Sequence, residues 1–336
     1  MIGSKRRVLF IVNPASGINE KETVVKIAEE MIDRARYEIS ICCTEYAGHA
    51  EEMARQAATD GVDIVVAVGG DGTINEVGRA IVHTDTAMAV IPCGSGNGLA
   101  RHLRIPMSTA GAVRVINEGK EKMVDYGIID GHPFFCTCGV GFDAFVSLKF
   151  AHSGRRGIIS YIENALRQIL TYSPETYEIE NSEGTVKYKA FMIACANASQ
   201  YGNNAYIAPQ ASLTDGILDV TILEPFNVLD APLLSLQLFS KKIGQNSRIK
   251  TMRDKRIVIR RSTPGVLHYD GDPVMGGATL EVKIVPKGLK VIVPPDDGQE
   301  QTYPVNNFIE NIIEFLQGNP LAVAIEEKLR NKLERE

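Results

Sequence analysis

The rhythm of apolar and polar residues changes once along the chain, near residue 125. From Arg7 to about Val124, short apolar runs alternate with longer amphipathic segments. Val8–Val12 is a continuous β-branched and aromatic run, the pattern of a strand buried on both faces. Asn19–Arg36 follows, with Val24, Ile27, Ala28, Met31 and Ile32 at helical spacing. Tyr37–Cys43, Asp63–Val68 and Ala87–Ile91 read as further strands, and His49–Thr59, Thr73–Val82 and Gly98–Leu103 as helices. Strands alternating with helices predict a parallel sheet with helices on both faces.

Beyond Asp125 strands dominate. Tyr126–Ile129, Phe134–Gly139, Thr176–Glu180, Val186–Ala196, Leu218–Leu223, Arg256–Arg261, Leu280–Val285 and Leu289–Val293 are all strand-like, and Asn181-Ser182-Glu183-Gly184 reads as a hairpin turn. Only Ile158–Leu170 and Val228–Phe239 interrupt as helices, so this half reads as a largely antiparallel β domain. Near the C-terminus, Phe308, Ile309, Ile312, Ile313 and Leu316 mark one face of a further helix, bracketed by Pro304 and Gly318-Asn319-Pro320.

Composition narrows the class. A length of 336 residues fits two domains, and 44% hydrophobic with 23% charged residues excludes disordered and low-complexity chains. No apolar stretch approaches the ~18–20 residues of a membrane span, and Met1–Arg7 runs straight into a strand, so no signal peptide is expected. A net charge of −5 argues against a dedicated nucleic-acid binder. The six cysteines include no C-x-x-C pair, which fits buried thiols in a reducing, cytoplasmic compartment.

Candidate chemistry gathers at three glycine-rich turns, each at the end of a strand in the first half. They are Asn13-Pro14-Ala15-Ser16-Gly17, Gly69-Gly70-Asp71-Gly72-Thr73 and Pro92-Cys93-Gly94-Ser95-Gly96-Asn97-Gly98. Open α/β sheets bind ligands at the carboxyl ends of their strands, where glycines let backbone N–H groups approach phosphate oxygens. No G-x-x-x-x-G-K-[ST] run is present, and the first strand is not followed by G-x-G-x-x-G.

These motifs resemble the diacylglycerol kinase catalytic-domain family, which includes bacterial diacylglycerol kinases and the sphingosine and ceramide kinases. Further matches follow in order: Thr44-x-x-x-Gly48-His49-Ala50, Asp125-Tyr126-Gly127, Gly139-Val140-Gly141-Phe142-Asp143, Pro209 to Asp219, and Tyr269-Asp270-Gly271-Asp272. The resemblance implies an α/β nucleotide-binding domain (1–125, with 301–336 returning to it), similar to NAD kinases and diacylglycerol kinases. It also implies a C-terminal antiparallel β-sandwich lipid domain (126–300). ATP and Mg²⁺ are the implied cofactors. Asn13, Ser16, Gly17, Thr44, Gly69, Gly70, Gly72, Thr73, Ser95, Gly96 and Asn97 would form or shape the nucleotide site. Asp71 would act on the nucleotide side through Mg²⁺, and Asp270 would be the general base, on a turn that exposes its carboxylate, with Asp272 beside it. Bacterial members hold a structural Mg²⁺ with the segment matching Asp215-Gly216-Ile217-Leu218-Asp219 and an Asp where this chain has Gly98, so Asp215 is either a metal ligand or a turn cap.

The resemblance makes a lipid hydroxyl the expected phosphoryl acceptor. A kinase for a soluble substrate such as NAD, and a catalytically silent lipid- or nucleotide-binding regulator, are the alternatives. A lipid kinase without a spanning helix would be cytoplasmic and meet the bilayer peripherally. The stretch 241–261 carries nine Lys and Arg against Asp254 alone, which fits either docking on an anionic membrane or solvated faces. A homodimer is compatible with the sequence. Arg101 is a candidate phosphate contact, His49 a helix-start packing residue, and His268 a strand-face residue near the proposed base.

Overall fold

The computed structural model describes residues 5–15, 21–152, 172–227 and 230–295. Ser16 and Gly17 of the first turn, the expected helix at 158–170 and the C-terminal segment 301–336 lie outside the described residues.

The first half alternates as its sequence rhythm requires: β1 (Arg6–Val12), α1 (Lys21–Met31), β2 (Tyr37–Cys43), α2 (His49–Thr59), β3 (Ile64–Gly69), α3 (Asp71–Ile81), β4 (Ala87–Pro92), α4 (Gly98–His102) and α5 (Thr109–Glu118). The strands pair in parallel in the order β2-β1-β3-β4. Every residue of β3 and β4 is buried, which explains their unbroken apolar runs. Helix α2 turns Ala50, Ala54 and Ala57 inward, and α3 buries Ile74, Val77, Gly78 and Ile81. Gly78 lets the Phe135 ring lie on α3, since a Cβ there would fall 2.6 Å from a ring carbon.

The second half contains β5 (Lys120–Ile129), β6 (His132–Phe134), β7 (Thr137–Gly141), α6 (Phe142–His152), β8 (Glu175–Asn181), β9 (Gly184–Ala190), β10 (Met192–Ala196), β11 (Leu218–Leu223), α7 (Ala231–Phe239), β12 (Ile249–Asp254), β13 (Arg256–Arg260), β14 (Gly265–Tyr269), β15 (Asp272–Gly276) and β16 (Thr279–Val293). One antiparallel sheet has the order β12-β11-β10-β7-β14-β15. It forms a sandwich with strands β5, β6, β8, β13 and β16, around a core that includes Phe134, Cys138, Val140, Tyr177, Ile193, Ile257, Leu267 and Val282. The hairpin at Asn181–Gly184 forms as expected, with Asn181 Oδ1 accepting from the amides of Glu183 and Gly184.

Helices α5 and α6 and strands β12, β14 and β15 escaped the sequence rhythm. Helix α6 is apolar nearly all round, so it shows no amphipathic period. Strands β12 and β14–β15 are short, and Arg, Lys, Gly and Pro residues obscure their alternation.

Strand β16 is the joint between the halves. It pairs antiparallel with β13 and β5, then parallel with β4 through Val291 and Met88, so that a ten-stranded sheet runs through both domains. Its register shifts between Val285 and Leu289. There Asp125, only 1% exposed, accepts from Lys287 N at 2.8 Å and from Gly216 N at 2.7 Å. One carboxylate thus fixes β5, the bulge in β16 and the turn before β11.

Within 241–261, several of the basic residues find acidic partners. Arg253 pairs with Asp215 (2.6 Å) and Asp219 (3.0 Å), Arg256 with Glu281 (2.6 Å) and Arg260 with Glu180 (2.6 Å). Arg248 lies 3.8 Å from Asp230, and Lys250 lies 3.9 Å from Glu224. Arg261 is buried and donates to the carbonyls of Gly265, Val266, Gly276 and Gly277. Most of these acids come from elements distant in sequence, which a linear charge count overlooks. The thiols also divide: Cys136, Cys138 and Cys195 are buried, whereas Cys42 and Cys43 are exposed.

Candidate active site

The three glycine turns meet at the carboxyl ends of β1, β3 and β4. Asn13 Nδ2 donates to Thr73 Oγ1 at 3.0 Å and its Oδ1 accepts from Ala15 N at 2.9 Å, tying the first turn to the second. Thr44 is buried beside them, its amide donating to Val12 O. Two glycines are needed for the close approach of the second and third turns. A Cβ on Gly94 would lie 2.6 Å from Gly70 Cα, and one on Gly96 would lie 2.6 Å from Asp71 Oδ2. Gly69 packs as tightly on the Thr73 side chain, whereas Gly72 borders open space and Ser95 is exposed at the tip of the third turn. Asp71 opens α3 and accepts from Asn97 N at 2.8 Å and Gly98 N at 2.7 Å. Asn97, at φ 53°, braces the third turn by bonding both the amide and the carbonyl of Gly94.

The second domain brings Asp270 to the same place. Asp270 (φ 47°) and Gly271 (φ 92°) form the two-residue turn joining β14 and β15, the left-handed pair that an Asp-Gly hairpin favours. The turn was expected to expose the Asp270 carboxylate. Instead the carboxylate turns inward and accepts four hydrogen bonds: from Phe135 N (2.8 Å), Cys136 N (2.8 Å), Thr137 N (3.1 Å) and Asn75 Nδ2 (2.9 Å). Asn75 lies one helical turn beyond Asp71 on α3 and also donates to Pro133 O at 3.1 Å. It therefore clasps the two domains at the site, a role its sequence surroundings did not signal beyond the spacing from Asp71. Asp272 opens β15, exposed, and its carboxylate makes no hydrogen bond among the described residues.

Burial and mutual repulsion set the electrostatics. Desolvation raises the Asp71 carboxyl to about 6 against the lowering effect of its backbone donors, and the Asp270 charge adds to the rise. Desolvation also raises Asp270, opposed by its four donors. Asp272, crowded by protein though open to solvent, is raised to about 6 by desolvation and then by the Asp270 charge. Folded Asp71 holds a proton up to about pH 6, whereas an ordinary carboxyl loses it near 3.8. Its stabilising contribution is therefore present at low pH and lost as pH rises through that window. Asp71→Asn keeps an acceptor for only one of the Asn97 and Gly98 amides, a roughly pH-independent cost, but the stability of wild type relative to this variant is expected to fall between about pH 4 and about pH 7. Paired melting curves across that range test this, and a pH-independent difference would contradict it.

Behind the turn, His268 Nε2 lies 3.1 Å from Asp143 Oδ2, which also accepts from the Tyr201 hydroxyl at 3.2 Å. His268 is indeed a strand residue, 2% exposed, and braces the segment beside Asp270. His49 packs at its helix start, stacked on Tyr46 with its Nδ1 accepting from Glu45 N. Arg101 Nε donates to Gly96 O at 3.0 Å.

Asp215 sits on the turn before β11. It holds Arg253 and accepts from Ile217 N, the turn-capping alternative, while Gly98 packs against Cys136 and the backbone of Tyr201 and Gly202. No group of three or more His, Cys, Asp or Glu among the described residues is arranged to hold a metal ion. Mg²⁺ commonly binds through one or two carboxylates completed by substrate phosphates and water, and raised carboxyls around Asp71 fit that donor set.

Comparison with known proteins agrees with this arrangement. Residues 7–129 match the diacylglycerol kinase catalytic domain, and residues 136–293 match the YegS C-terminal NAD kinase beta sandwich-like domain. The diacylglycerol kinase of Bacillus subtilis is 28% identical over 278 residues, 80% of this chain and 90% of that protein. The protein named Probable lipid kinase YegS in Escherichia fergusonii is 27% identical over 297 residues, 86% of this chain and 96% of that protein. A crystal structure of a diacylglycerol kinase from Bacillus anthracis shares the fold, with a TM-score of 0.67 at 20% identity over 86% of this chain and 97% of that one. With the glycine turns and the Asp-Gly-Asp hairpin meeting as described, and both domains matched in order, the chain belongs to the diacylglycerol kinase catalytic-domain family.

Proposed function

We propose that the protein is an ATP-dependent kinase that transfers the γ-phosphoryl group to a hydroxyl of a diacylglycerol or sphingoid-type lipid. The observation that carries this reading is the meeting of Asp71, on a glycine-rich phosphate-type turn, with the Asp270–Asp272 hairpin of the other domain, joined by Asn75. Backbone amides of the glycine turns and the start of α3 would bind the phosphates. Mg²⁺, when bound at Asp71, would neutralise charge on the transferred group.

In the transfer itself, the lipid hydroxyl oxygen forms a bond to the γ-phosphorus as the bond to the ADP oxygen breaks. The hydroxyl proton passes to a carboxylate. Asp270 is held by four donors and aimed away from solvent, so Asp272, accessible and raised to about 6, takes the role of base, with Asp270 fixing the turn that carries it. A lipid acceptor is supported by α7, which buries Leu234 but leaves Leu233 54% and Leu236 47% exposed. Among the described residues no helix is long and apolar enough to cross a membrane, and we propose that α7 meets the bilayer from its surface.

The test incubates purified protein with labelled ATP, Mg²⁺ and mixed micelles of diacylglycerols, sphingosine and ceramide, with NAD⁺ and sugars as soluble acceptors. Label in a lipid is the expected result. Label only in a soluble acceptor, or nucleotide binding with no transfer, would overturn this reading.

A further inference from the structure

We infer that the outer edge of β2 is a self-association surface, on which a second copy of this chain adds its own β2, antiparallel, about a two-fold axis at Ser40. The described sheets end at β2, β6, β9, β12 and β15. An open edge invites further strands, and proteins blunt theirs with charged side chains, Lys above all, or with Pro. Here β6 carries Pro133, β15 carries Pro273, β9 carries Lys187 and Lys189, and β12 carries Lys250 and Arg253. Strand β2 reads Tyr-Glu-Ile-Ser-Ile-Cys-Cys, with no Lys, Arg or Pro and only Glu38 charged. Among the described residues it is the edge left without such a guard.

The backbone sets the register. At the two ends of the strand Arg36 O accepts from Arg6 N, and Thr44 N donates to Val12 O, so both face β1. Peptide direction alternates along a strand. Glu38, Ser40 and Cys42 therefore also turn to β1, whereas Ile39, Ile41 and Cys43 turn N–H and C=O outward. Tyr37 N donates to Asp33 O, which leaves the Tyr37 carbonyl as its outward group. An antiparallel two-fold pair exchanges bonds only between outward residues. Centred on Ser40, it sets Ile39 against Ile41 of the second copy and Cys43 N against Tyr37 O of the second copy, which uses the whole strand.

The side chains agree with that register. Glu38 falls opposite Cys42, so no like charges meet, and Ser40 faces Ser40 of the second copy. Ile39 and Ile41 are only partly buried against the core of the first domain, and the pairing sets them beside their counterparts. On the other face Glu38, Ser40 and Cys42 line a groove of about 520 Å³ beside α2, which leaves that side of the edge open to approach. One seven-residue edge belongs to the small, weak class of interfaces, so the dimer is reversible and concentration-dependent. This surface is separate from the transfer chemistry proposed above, and its test does not depend on activity.

Sedimentation velocity of the purified full chain, at about 1–200 µM, follows the association. Wild type is expected to pass from monomer towards dimer across that range. Ser40→Lys sets two ammonium groups directly across the axis, and Ser40 is exposed. This variant should dimerise at least about tenfold more weakly at an unchanged melting temperature. Ser40→Cys, in a chain that also carries Cys42→Ser and Cys43→Ser, gives the complementary result and decides the question if Ser40→Lys melts lower. A non-hydrogen-bonded antiparallel pair holds its Cα atoms about 4.5 Å apart, within disulfide reach, so mild oxidation should link two chains. The Cys42→Ser, Cys43→Ser chain without Ser40→Cys should stay unlinked. A wild type that is monomeric throughout, a Ser40→Lys variant that dimerises as wild type does, or a wild-type dimer whose Ser40→Cys chains fail to link would each overturn the inference. The last two results would place the dimer on another surface.

Discussion

Asp272→Asn is expected to lower kcat by roughly 10²–10⁴-fold, the usual contribution of a positioned acid or base, with little change in melting temperature. The side chain is exposed and makes no hydrogen bond among the described residues, so the fold loses little with its charge. The wild-type rate should rise through about pH 6 as this carboxyl ionises, and that limb should vanish in the variant. Asp270→Asn gives a contrasting result. An amide retains one acceptor oxygen, and its NH₂ then faces backbone donors among Phe135, Cys136 and Thr137. Each amide left unpaired costs about 1–3 kcal/mol, so this variant should lose stability and activity together. Full activity in Asp272→Asn, with Asp270→Asn inactive but fully stable, would return the base to Asp270.

Asp125→Ala should cause the largest loss of stability, about 3–5 kcal/mol, because the amides of Lys287 and Gly216 lose a charged acceptor in a buried site. In melting curves this corresponds to a fall on the order of 10 °C. Asp125→Asn should fall between, since its single carbonyl oxygen can serve only one of two amides that now approach from opposite oxygens. A change within about 1 °C for Asp125→Ala would show that water or a shifted backbone satisfies both amides.

Apart from α5, the strands and helices of the first half were legible because burial on two faces leaves unbroken runs such as Ile64–Gly69, and glycine turns punctuate them. Asp270-Gly271 was legible as a turn from the same local chemistry. Its side chain's direction was not, because that depends on three amides more than 130 residues earlier in the chain. Asn75 was missed for a related reason: a buried asparagine on an amphipathic helix carries no local mark of the domain it reaches. The stretch 241–261 illustrates the limit for charge. Glu180, Asp215 and Glu281, which answer its arginines, belong to other elements. Local propensity and periodicity are sequence properties, whereas polar pairing across sheets is decided by topology.

The path of β16 has a consequence for biosynthesis. Met88 is made about two hundred residues before Val291, its partner across the sheet, and β5 waits about 150–170 residues for residues 282–293. The N-terminal half therefore leaves the ribosome with an open flank on β4, and the neighbouring strand segment arrives only after the rest of the sandwich has been synthesised. Completion of the two halves is thus coupled in time. A nascent chain stalled before residue 289 should carry an unpaired, fully apolar edge at β4, of the kind that chaperones bind and proteases cut.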